Sequence, residues 1–132
     1  MTAASKRGLL IVMCSVSAGV HAALVPEHLA ESAAAGGGFI AATVLLAGLI
    51  VALARRPDSR LVVGAAAATL VGLLVSYVLA VTSGMPVLMP SPEPVEAVAL
   101  ATKAVEALGL AAAWGLLRRE RTPNLLAGGI EA

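Results

Sequence analysis

The chain has 132 residues, 59% of them hydrophobic and 13% charged, with a mean hydropathy of +0.94. Soluble domains carry roughly 45–50% apolar and about 25% charged residues, so this composition excludes a water-soluble globular domain and leaves lipid as the natural solvent. The net charge of +1 gives no sign of a nucleic-acid partner, because the basic residues sit at helix ends, and none is expected; the single cysteine, Cys14, excludes an internal disulfide or a cysteine-based zinc motif.

The first apolar run, residues 8–25, predicts a membrane span that can continue past Pro26 to Ala30. Lys6, Arg7, the apolar run and Val20-His21-Ala22 also resemble a secretory signal. The apolar stretch passes the apparent cleavage site, so a retained first span is expected. Cys14 lies inside it and reads as a packed thiol. A connection with Glu27, His28 and Glu31 follows, then Gly36-Gly37-Gly38 and a second span over residues 33–54. Arg55, Arg56, Asp58, Ser59 and Arg60 form the next connection, where Asp58 and Ser59 offer helix caps. The third span covers residues 61–82.

The third connection holds Met85 and Met89 and four prolines at 86, 90, 92 and 94, which make it stiff and non-helical. Within it Ser91-Pro92-Glu93 suits a helix start: a hydroxyl cap, a proline in the first turn, a carboxylate at the positive dipole end. The fourth span covers residues 95–117, with Trp114 as an interface anchor. Residues 122–132 read as a loose tail. Backbone groups in lipid must be satisfied internally, and strands of alternating polarity are absent, so the expected fold is an all-α bundle of four transmembrane helices in one domain.

Lys6, Arg7, Arg55, Arg56, Arg60, Arg118, Arg119 and Arg121 flank one set of span ends, while the first and third connections hold no Lys or Arg. That eight-to-zero asymmetry places both termini and the second connection in the cytoplasm. The expected location is the bacterial inner membrane, as a multi-pass protein.

Three groups of residues stand out as candidate sites. Gly64, Ala68, Gly72 and Ser76 recur every fourth residue on the third span, continued by Ala80 and Gly84. Such a stripe of small side chains is a helix-contact surface, within the bundle or against another subunit. Lys103 and Glu106 share a face of the fourth span, with Glu96 two turns before Lys103. Ionisable groups at that depth are expensive and mark either a structural ion pair or a proton, ion or ligand site. His21 and His28 are seven residues apart and, with Glu27, form a possible metal set for copper, zinc or haem; Met85 and Met89 add soft donors suited to Cu(I). The alternative for His21 is a hydrogen-bonded helix contact or a pH-sensing group.

His21-Ala22-Ala23-Leu24-Val25-Pro26-Glu27-His28-Leu29, then Pro90-Ser91-Pro92-Glu93-Pro94-Val95-Glu96 and a glutamate in the last span, resembles a set of small four-span bacterial membrane proteins. The resemblance implies the architecture and carries no function. The small multidrug-resistance transporters, another four-span class, depend on a glutamate within the first span, and here that span carries His21 instead.

No nucleophile–base set, phosphate-cradling loop or dinucleotide fingerprint is visible, so no enzymatic activity is expected. The first functional reading is a small accessory subunit that stabilises a larger membrane complex, contacting lipid and either other membrane subunits or a second copy. The second is an outward-facing metal-binding or proton-relay protein using His21, His28, Lys103 and Glu106. The sequence leaves the cofactor open.

Overall fold

A computed structural model describes residues 1–85 and 91–119 of the chain. Among these, four helices run Ala3–Glu31 (α1), Ala33–Arg55 (α2), Arg60–Thr82 (α3) and Ala97–Arg119 (α4), and there is no strand. All four are long and apolar enough to cross a membrane, the arrangement of a multi-pass membrane protein. Each helix packs on its neighbours in the cyclic order α1, α2, α3, α4, so that α1 and α3, and α2 and α4, face each other diagonally. The α1–α2 interface is the most extensive and the α2–α3 interface the least.

Helix ends follow the local chemistry. The Thr2 hydroxyl caps α1 by accepting from Ser5 N–H at 3.0 Å. The helix continues through Pro26 to Glu31, although the proline ring lacks the N–H that Ala22 would otherwise receive. One residue, Ser32, then serves two helices. Its N–H donates to His28 O at 3.0 Å, and its hydroxyl accepts from Ala35 N–H at 3.0 Å. α1 and α2 thus form a hairpin with an extended, single-residue connection. Ser59 caps α3, accepting from Val62 N–H at 3.4 Å. Beyond the far end of α3, Gly84 adopts φ 70°, the left-handed conformation that commonly follows a helix C-terminus and disfavours any side chain.

The start of α4 corrects one expectation. Ser91-Pro92-Glu93 does not begin a helix; the backbone stays non-helical until Ala97. The reason lies in the alternating prolines. A proline pushes the residue before it out of the α region, so Pro92 and Pro94 hold Ser91 and Glu93 extended. Glu93 is then anchored across the bundle, its N–H donating to Ala80 O at 3.0 Å. Pro86, Met89 and Pro90, and the tail over residues 122–132, lie outside the described residues.

The bundle has two chemically distinct ends. At the basic end Lys6 donates to Gly115 O at 3.2 Å and Arg60 to Leu117 O at 3.3 Å, so cations from α1 and α3 satisfy carbonyls in the last turns of α4. The part-buried Arg7 lies 3.7 Å from the exposed Asp58, a solvent-facing contact that contributes little. The half of the bundle above that end is filled by an apolar core that includes Leu10, Leu46, Leu53, Val63, Leu70 and Ala113. Cys14 is fully buried in the same core, as a packed thiol. Valines and leucines such as Val44, Val78 and Leu108 are exposed on the perimeter, where a membrane protein meets acyl chains.

Candidate functional site

Glu106 on α4 is fully buried, as is Ser17 on α1. Both of the Glu106 oxygens are occupied. Ser17 Oγ on α1 donates to Oε1 at 2.8 Å, and Lys103 Nζ donates to Oε2 at 2.7 Å. Lys103 is its i,i+3 neighbour on α4 and also lies 5.6 Å from the centre of the Tyr77 ring on α3. The Tyr77 hydroxyl is buried with no hydrogen-bond partner among the described residues.

Above this cluster, at the acidic end, all four helices part around a cavity of about 310 Å³. Lys103, Tyr77 and Thr102 line its floor, His21, His28 and Phe39 its wall, and Glu27, Glu31, Glu93 and Glu96 its rim. Both histidines are oriented by their own helix. His21 Nδ1 lies 2.8 Å from Ser17 O, and His28 Nδ1 lies 3.0 Å from Leu24 O. A carbonyl can only accept, so each Nδ1 carries the proton and each Nε2 is directed away from α1. Phe39 of α2 stacks on His28, with ring centres 3.8 Å apart, and touches His21 at 5.4 Å. The two imidazoles are thus held at different levels of the cavity rather than in one ligand shell.

At the rim, Glu93 Oε1 stands 4.0 Å from His28 Nε2. This is too long for a hydrogen bond. His28, Glu31 and Glu93 each offer one ligand atom, all within 4.8 Å of one another. Burial pushes the Glu93 carboxyl above its usual pKa; His28 pulls it down, and Glu31, Glu96 and Glu27 add to the rise by repulsion.

His21, Lys103 and Glu106 point into the bundle, joined through Ser17. His28 is grouped with Glu31 and Glu93, whereas Glu27 and Glu96 are exposed at the rim and His21 lies deeper. Met85 lines the cavity. Trp114 is exposed on α4, with the Arg118 guanidinium 4.8 Å above its ring. The stripe on α3 divides. Ala80 and Gly84 are buried, but Ala68, Gly72 and Ser76 are exposed, and a methyl group added at Gly64 or Gly72 would meet nothing within 4 Å. α3 presents Val62, Val63, Ala66 and Leu70 to the bundle instead.

Ser17, Tyr77, Phe39 and Glu93 were not visible as site residues. A serine in a span facing a glutamate in another was the available signal for Ser17. Compared with known proteins, the chain matches no family model, no curated protein and no solved structure.

Proposed function

We propose that this chain is a non-catalytic, outward-facing cation-binding protein of the bacterial cytoplasmic membrane, taking a metal ion or protons into the cavity at its acidic end. The cavity carries the reading: four carboxylates ring its mouth, two histidines with available Nε2 atoms line it, and Lys103 closes its floor. Clefts lined by one sign of charge concentrate the opposite ion. A fixed ammonium at the floor and an apolar core below it oppose onward passage of a cation. This favours capture or sensing over conduction. The basic residues at the opposite end favour a cytoplasmic location for both termini, which turns the cavity outward.

Sidedness and occupancy are tested together. In a Cys14→Ala background, single cysteines placed by Ser32→Cys and Ser91→Cys react with an impermeant maleimide in intact cells, while Ser59→Cys does not. The purified wild type, prepared without chelator, holds or takes up copper, zinc, iron or haem, and a His21→Ala, His28→Ala double variant loses it. Labelling at Ser59→Cys alone reverses the orientation. A wild type that binds no metal or haem and shows no proton uptake on acidification defeats the reading.

A second reading, an accessory subunit or self-associating protein, is favoured by one observation. Ala68, Gly72 and Ser76 form an exposed small-residue face with open space beside Gly64 and Gly72. Close backbone approach of another helix suits that face. Gly72→Leu is then expected to abolish a native complex seen by crosslinking and mass spectrometry while leaving the fold of the single chain intact. A monodisperse monomer in both wild type and variant removes this reading.

A further inference from the structure

We infer that His28, Glu31 and Glu93 form a mononuclear site for a divalent first-row transition metal of the zinc or copper type. The inference rests on the outward cation-binding reading and names its ligand class.

Four observations support it. First, the three donor atoms lie within 4.8 Å of one another. Ligand bonds of about 2.0–2.2 Å around a tetrahedral ion separate donors by roughly 3.4 Å, so a modest contraction completes the set. Second, His28 donates Nδ1–H to Leu24 O at 3.0 Å. A metal-bound histidine is characteristically held in this way, its other nitrogen fixed by a carbonyl or carboxylate. Third, His28 is only 9% exposed, yet its Nε2 is 4.0 Å from the nearest carboxylate oxygen and makes no hydrogen bond to it. A buried ring nitrogen beside two carboxylates, and hydrogen-bonded to neither, fits an ion. Fourth, Glu31 and Glu93 gather negative charge beside Glu27 and Glu96, while the nearest lysine at the cavity, Lys103, is committed to Glu106. A divalent ion relieves that repulsion.

The ligand set also selects. One imidazole and two carboxylates suit zinc, copper or a neighbouring ion. Calcium prefers six to eight oxygen ligands and magnesium a near-octahedral oxygen shell with several waters, neither of which this set supplies by itself. Rigidity comes from both sides of the cluster. Phe39 stacks on the His28 ring, and Glu93 is pinned by its N–H to Ala80 O. Three protein donors leave a fourth position, and the cavity lies beside it. A bound metal would also tie the segment before α4 to α1.

The test is calorimetric titration of the full chain in mild detergent with Zn²⁺ and Cu²⁺, with Co²⁺ absorption reporting the ligand geometry. Wild type binds one ion. His28→Ala and Glu93→Gln each weaken binding about 10-fold or more, since loss of even an outer-shell partner costs 10–100-fold. Glu31→Gln, at an exposed position on α1, weakens it without endangering the fold, and Asp58→Asn, exposed at the opposite, basic end, leaves it within about threefold. Helical content and the protection of Cys14 from thiol reagents confirm that each variant is folded. Binding that survives His28→Ala and Glu93→Gln but is lost in His21→Ala overturns this site and leaves the cavity reading intact. Failure of the wild type to bind any of the three ions overturns the site; whether the wider reading falls too is decided separately by proton uptake and haem content.

Discussion

Glu106→Ala is expected to destabilise the bundle more than the double replacement Glu106→Leu, Lys103→Met. Glu106 is fully buried and accepts from Ser17 Oγ at 2.8 Å and Lys103 Nζ at 2.7 Å. Removing it alone leaves the part-buried Lys103 ammonium at the cavity floor without its counter-charge and the Ser17 hydroxyl without its acceptor. Breaking a buried pair in this way costs about 3–5 kcal/mol, whereas exchanging both partners for apolar residues of similar volume is often close to neutral. The native reporter is Cys14, buried on α1 one turn from Ser17. Its modification by a thiol-reactive fluorophore during heating gives the unfolding temperature in detergent. The single variant should fall well below wild type and the double variant should recover most of the loss. Equal losses would mean that Glu106 acts independently of Lys103, and that the charge pair is not what holds α4 against α1.

The four spans were legible because lipid imposes a coarse and unforgiving rule: about 20 apolar residues, or no helix across the membrane. The same rule made His21, Lys103 and Glu106 readable as inward-facing, since a charge directed at acyl chains is penalised wherever it occurs. Partners were harder. Ser17 meets Glu106 across 89 residues of sequence, and nothing in the span distinguishes it from Ser15 two residues earlier, which bonds only its own helix. Glu93 was visible but assigned the wrong task. Its place after Ser91-Pro92 matches a helix cap, and the decisive effect was the pair of prolines that forbids helix there and frees the carboxylate to approach His28. The stripe on α3 shows another limit. A four-residue period locates a face, but only packing says which way that face turns: Ala68 and Gly72 turn outward, Ser76 lines the cavity, and Ala80 and Gly84 are buried.

Gly36→Ala is expected to disrupt both the α1–α2 hairpin and the cation site, although Gly37→Ala, one residue away, should be tolerated. The single-residue connection at Ser32 brings the first turn of α2 hard against the last turn of α1. A methyl group at Gly36 would stand 2.8 Å from Leu29 Cα, a backbone atom that cannot rotate away, and would also collide with the Leu29 side chain. At Gly37 it would meet nothing within 4 Å. Overpacking of this kind costs about 1–3 kcal/mol or more, while Gly→Ala at an open helix position gains up to about 1 kcal/mol through lower backbone entropy. The steric conflict also lies next to the site. His28 precedes Leu29, and Phe39, which stacks on His28 at 3.8 Å, is three residues beyond Gly36. Relieving the clash requires α1 and α2 to separate where those two rings meet. Gly36→Ala should therefore lower the unfolding temperature and weaken metal binding together, and Gly37→Ala should match or exceed wild type in stability with unchanged binding. If Gly36→Ala unfolds earlier but binds metal with wild-type affinity, the hairpin supports the fold without positioning His28, and the stacking on Phe39 is incidental to the site.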